Sequence, residues 1–78
     1  MNWEKLTSKD HEYMLFKHNT NSSYKLITCK PIAGGLDIIH YLTQKEIQDY
    51  QDFGIESLKS RMVDMDKNFS KYEVISWR

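Results

Sequence analysis

The sequence predicts an α+β domain: a small antiparallel-type sheet of about four strands, in the order β-β-β-α-β, with one kinked helix or two short helices packed on one face. Three observations predict it. Runs of β-branched and aromatic residues separated by polar turns fill the first half of the chain, a capping box opens an apolar stripe at helical spacing after Thr43, and a short strand-forming run closes the sequence. With 78 residues the chain makes a single domain, 1–78, near the lower size limit for folding alone. Its one cysteine closes no intrachain disulfide, so any outside support comes from another chain, and a homodimer is one form of it.

Residues 1–11 place Trp3 and Leu6 among polar neighbours and read as a short turn or docking arm. Tyr13-Met14-Leu15-Phe16-Lys17 is rich in strand formers, as is Tyr24-Lys25-Leu26-Ile27-Thr28-Cys29. Between them Asn19-Thr20-Asn21-Ser22-Ser23 supplies turn residues, which makes the pair a hairpin. Pro31 lacks a ladder donor and Gly34-Gly35 permits positive φ, so a bend or bulge is expected before the third strand, Leu36 to Leu42.

Thr43-Gln44-Lys45-Glu46 is a capping box, in which the threonine hydroxyl accepts the N3 amide and Glu46 reaches back. Behind it Ile47, Tyr50, Gly54, Leu58, Met62, Met65 and Phe69 recur at threes and fours. Gly54 lies on that stripe, and Asp52-Phe53-Gly54 reads as a C-terminal stop, so two helical pieces or a kink are expected. Tyr72 to Trp77 is the last strand.

Charge and composition exclude several functions. Eleven basic and eleven acidic residues balance, which argues against a dedicated nucleic-acid binder. No apolar run approaches membrane-spanning length, the first residues lack the apolar core of a signal peptide, and the unpaired Cys29 suits a reducing compartment. A cytoplasmic protein is expected. His11-Glu12 followed by His18 does not have the HExxH spacing, His40 is distant from both, and no metal or cofactor site is read from them. Cys29 sits in an apolar strand run, where cysteine acts as a small hydrophobe, and Gly34-Gly35 has none of the other positions of a phosphate loop. With no acid–base, nucleophile or metal constellation, the chain does not read as an enzyme.

The charges are unevenly spread. Between Gln44 and Glu56 only Lys45 offsets the four acids Glu46, Asp49, Asp52 and Glu56, which fall opposite the apolar stripe. They form either a solvated helix face or an acidic patch for a basic partner. Through Lys30 five lysines meet three acids. Lys17, Lys25 and Lys30 lie among Tyr13, Phe16 and Tyr24, which supports an alternative reading: a small nucleic-acid-associated or regulatory protein using a lysine- and aromatic-bearing sheet.

The second half, roughly residues 24–78, has a recognisable layout. Gly34-Gly35 precedes a strand, then come Leu42, Thr43, Glu46, Tyr50, Gly54 and Leu58, then Arg61, Asp64, Asn68, Tyr72 and a terminal strand. This resembles the small cytosolic immunity proteins of bacterial polymorphic toxin systems, contact-dependent growth inhibition systems among them. Lys59-Ser60-Arg61-Met62 is more polar than the family's pattern, and Ile75-Ser76-Trp77-Arg78 departs from its usual ending. The resemblance implies non-covalent inhibition of a cognate protein toxin, often a nuclease, with carboxylates and aromatics covering its active site or substrate surface. The contact residues it implies are Glu46, Asp49, Asp52 and Glu56, with Asp37, His40 and Tyr41 beside them.

Overall fold

Every strand in the first half of the chain pairs with the next by a short antiparallel connection, so the sheet grows in sequence order. The computed structural model describes residues 2–9, 12–30 and 35–76. Strands β1 (Trp3–Lys9), β2 (Tyr13–His18), β3 (Tyr24–Lys30) and β4 (Leu36–Tyr41) lead into helix α1 (Gln44–Phe53), a 3-10 turn at Ile55–Leu58 and helix α2 (Lys59–Lys67). A second 3-10 turn, Phe69–Lys71, returns the chain to strand β5 (Glu73–Ser76), and the sheet order is β1-β2-β3-β4-β5, antiparallel throughout. No helix among the described residues is long and apolar enough to cross a membrane.

The α+β architecture stands, with five strands rather than four. The extra one is β1, where a turn or arm was expected. As an edge strand it buries neither face, so the period-2 hydrophobic pattern that announces a strand is missing from Trp3-Glu4-Lys5-Leu6-Thr7-Ser8-Lys9. Its register against β2 also slips between Lys5 and Thr7, and the bulge leaves Leu6 38% exposed. Backbone pairing and the Lys25 ammonium, 4.3 Å from the Trp3 ring centroid, hold it.

The β2–β3 hairpin forms as expected, but its positive φ falls on Ser22 (60°) and not on an asparagine. Asn21 contributes through its side chain, accepting from the Ser23 amide at 2.9 Å, while His18 Nδ1 accepts from the Thr20 amide at 3.2 Å. Of the expected bend at 31–35, Pro31 to Gly34 lie outside the described residues, and Gly35 takes a φ of 108°.

Alternation sorts the strands into two faces. On one, Tyr13, Leu15, Tyr24, Leu26 and Ile38 pack against Leu58 and Met65, with Ile47, Tyr50, Met62 and Phe69 around them. The predicted apolar stripe is therefore the helical half of the core. Both halves of the capping box are present at Thr43, and α1 ends at Gly54, whose φ of 81° and ψ of −164° belong to a region only glycine occupies readily. Nothing lies within 4 Å of where a Gly54 Cβ would sit, so space is not the constraint. Gly54→Ala is expected to lower stability by about 1–2 kcal/mol through backbone strain alone. Equilibrium urea unfolding with an unchanged m-value is the check.

Candidate interaction site

Helix α1 opens beside the end of β4, and α2 runs back past it. This brings together side chains far apart in sequence. The Glu46 carboxylate is their hub. Its Oε1 accepts from the Thr43 amide at 2.9 Å and lies 2.8 Å from His40 Nε2, while its Oε2 accepts from Arg61 Nε at 2.7 Å. One carboxylate thus serves as the reciprocal partner of the helix cap and as the ionic link between β4, α1 and α2. Burial alone would push its acidity down. The Thr43 amide, His40 and Arg61 outweigh that and hold the Glu46 pKa at about 2.

The chain of polar contacts continues to the segment before β5. Arg61 Nη1 donates to the Tyr72 hydroxyl at 3.1 Å, Tyr72 donates to Asp64 Oδ2, and Asn68 Nδ2 donates to Asp64 Oδ1 at 2.7 Å. The His40 ring meets the Tyr72 ring edge-on at 5.6 Å. The guanidinium's bonds to Glu46 and Tyr72 keep Arg61 charged, and the Tyr72 and Asn68 donors lower the Asp64 pKa. Arg61, Asp64, Asn68 and Tyr72, four of the residues on which the family resemblance rests, are thereby drawn into one network with Glu46. It locks the helix pair to the sheet, and its polar groups are mutually satisfied.

The seven expected contact residues do not share one surface. Glu46 was expected to face solvent; its side chain is 15% exposed, because it turns toward His40 and Arg61. Asp49 stands beside it on a cleft of about 330 Å³ between α1 and α2, paired with Lys45 at 3.0 Å. Asp52 accepts two bonds of 3.1 Å from Gln48 and is exposed, as is Glu56 on the 3-10 turn. Asp37 and Tyr41 point to the opposite face of the sheet, where Cys29 Sγ donates to Asp37 Oδ1 at 3.7 Å. Burial, assisted by Asp37, raises the Cys29 pKa and favours the protonated thiol.

Beside the acids stands Phe53, which the sequence presents as part of a helix stop. Phe53 is 74% exposed, more than any other large hydrophobic residue among those described. It follows Asp49 by four positions on α1, so the two are neighbours on the helix surface, and Asp52 and Glu56 flank it in sequence. The signal was available: at about 100° per residue Phe53 falls well off the Ile47–Tyr50–Gly54 stripe and among the acids.

Two of the three aromatics in the nucleic-acid reading, Tyr13 and Tyr24, are buried beneath the helices and offer no stacking surface. Its lysines also divide: Lys30 pairs with Asp66 at 3.0 Å, while Lys25 lies over Trp3 and Phe16 on the far side of the sheet. Of the histidines weighed as ligands, His11 lies outside the described residues, His18 caps its own turn and His40 contacts Glu46. Among the described residues no group of three or more His, Cys, Asp or Glu is placed to hold a metal ion. Comparison with protein-family models, with curated proteins and with solved structures gives no match for this chain.

Proposed function

We propose that this protein is an immunity-type inhibitor that binds a cognate bacterial toxin in the cytoplasm of the producing cell and covers its active site or substrate surface. The observation that carries the reading is Phe53, a solvent-exposed aromatic ring set among Asp49, Asp52 and Glu56 at the end of α1. Aromatic side chains dominate binding energy where a partner pocket can desolvate them, and a fringe of carboxylates steers a basic partner and fixes its orientation. Where the toxin is a nuclease, these acids occupy positions meant for substrate phosphates. The ionic network behind them supports the same reading, since it fixes α1 and α2 against the sheet and presents a rigid ridge. No residue of the chain needs to perform chemistry.

The test is growth protection. A candidate toxin from the neighbouring genes is expressed in cells with and without the protein, and the two are co-purified. Protection together with a stoichiometric complex is the expected result. Equal killing with and without the protein rules the reading out.

A further inference from the structure

The second face of the sheet has its own pattern, independent of the helix ridge. The helices pack against the other face, and Ile27 and Ile39 at the centre of this one are 9% and 7% exposed. The strand registers arrange this face in rows across the sheet. One row is Lys5, Phe16, Lys25 and Tyr41; the next is Ser8, Met14, Ile27, Ile39 and Glu73; the third holds Cys29, Asp37 and Ile75. Each end row therefore carries charge among apolar side chains, and the middle row is apolar at Met14, Ile27 and Ile39, between Ser8 and Glu73 at its two edges. Lysines and aromatics occupy one end, where Lys25 Nζ lies 4.3 Å from the Trp3 ring centroid and 5.5 Å from that of Phe16. Asp37 is the acid of the other, and Glu73 lies on the middle row at the β5 edge.

We infer that this face binds a second copy of the same chain, stacked sheet on sheet about a two-fold axis that runs along the central row. Such an axis exchanges the two ends. Lys25 of one copy then approaches Asp37 of the other, twice per dimer, and the apolar row of Met14, Ile27 and Ile39 meets itself. The same operation brings together the two large hydrophobics that the face leaves exposed, Tyr41 at 51% and Ile75 at 48%. A face with lysines at one end and Asp37 at the other is complementary to itself, which is the requirement of an isologous interface, while the exposed Glu73 at the β5 edge of the axial row faces its own copy in solvent. A nucleic acid would meet the acidic end unfavourably, and a uniformly charged protein would be repelled at one end or the other.

Size and charge agree with this occupant. Five strands spaced about 4.8 Å apart, with about six residues each at about 3.3 Å, present roughly 500 Å² per copy. Two copies bury roughly 1,000 Å², the threshold of a specific though weak interface. The formal net charge of zero removes long-range repulsion between copies. Stacked antiparallel sheets pack about 10 Å apart with interdigitating side chains, as here the exposed Ile75 and Tyr41 would require. Since α1 and α2 cover the opposite face, each copy keeps its Phe53 ridge outward, and the inference stands or fails independently of toxin binding.

Sedimentation velocity from about 5 to 500 μM tests it, with micromolar dimerisation expected at this interface size. Lys25→Glu and Asp37→Lys should each weaken the dimer at least about tenfold, and the double variant should recover to within about threefold of the original, because the swap restores both cross-axis pairs. Lys25 also touches Trp3 within its own chain, so Ile75→Lys provides a second disruption at an exposed position, with circular dichroism confirming an unchanged fold. A chain that stays monomeric at 500 μM overturns the inference. So does a dimer of undiminished strength in Ile75→Lys, or a double charge swap that recovers nothing.

Discussion

Glutamine in place of Glu46 is expected to lower the stability of the protein by about 2–3 kcal/mol at pH 7, a loss of roughly 10–20 °C in Tm for a domain of this size. The substitution isolates charge. Glutamine is the alternative residue at the third position of a capping box, so the helix cap and the side-chain shape are retained. What disappears is the counter-charge of Arg61 and the acceptor that Arg61 uses, Glu46 Oε2 at 2.7 Å from its Nε, while the oxygen shared by the Thr43 amide and His40 is kept. The carboxyl falls from an ordinary 4.5 to about 2 in the folded chain, and each tenfold in acidity corresponds to about 1.4 kcal/mol. Solvent at the rim of this half-buried site trims that total to the range given.

The pH dependence has a definite sign. A carboxyl whose folded pKa is depressed contributes its full stabilisation above its unfolded pKa and loses it as pH falls toward the folded one. The stability gap between wild type and Glu46→Gln should hold from pH 7 down to about 4.5, then close as the pH falls toward 2. Urea unfolding of both proteins between pH 7 and 2.5 measures this. A gap that is flat across the acid range would mean that Glu46 holds no preferred proton-free state in the fold. Asp49→Asn is the control, since its salt bridge to Lys45 is exposed and of the i,i+4 kind that contributes about 0.3–0.5 kcal/mol.

The contrast between Glu46 and its neighbours shows what was legible in the sequence. The capping box, the apolar stripe, the break at Gly54, the hairpin and the terminal strand are local patterns, set by spacing and by the φ preferences of single residues. All five are found where the sequence places them. Strand β1 was not legible because an edge strand solvated on both faces leaves no alternation, and only its partner's backbone defines it. The role of Glu46 was half legible. Its reach back to the Thr43 amide follows from a three-residue spacing, whereas its contacts with His40 and Arg61 depend on where α2 crosses α1, a tertiary fact with no local signature. Helical geometry alone assigned all four acids of α1 and the following turn to solvent, and it was the long side chain of Arg61 that drew one of them in. Tyr13 and Tyr24 were misplaced for a related reason: alternation groups the residues of a strand but does not say which group the helices will cover.

The second large effect concerns the ridge at the end of α1. Truncation of Phe53 to alanine is expected to weaken toxin binding by at least about 2 kcal/mol, some thirtyfold in Kd, while leaving the stability of the free protein within about 0.5 kcal/mol. The asymmetry follows from exposure. A ring that is 74% exposed in the free chain gives up little on truncation there. Removing it from a partner's pocket forfeits the burial of an entire aromatic side chain, about 1.5–3 kcal/mol, and leaves an unfilled cavity besides. Reversal of Asp49 and Asp52 to lysine should act differently, slowing association about tenfold or more at low salt with a difference that shrinks as salt is raised, because exposed charges act mainly through steering. Stopped-flow binding to the purified toxin separates the two: Phe53→Ala should raise the dissociation rate, and the double reversal should lower the association rate. If both variants bind as the original does, the toxin is held elsewhere on the molecule, and the acids of α1 are a solvated helix face and nothing more.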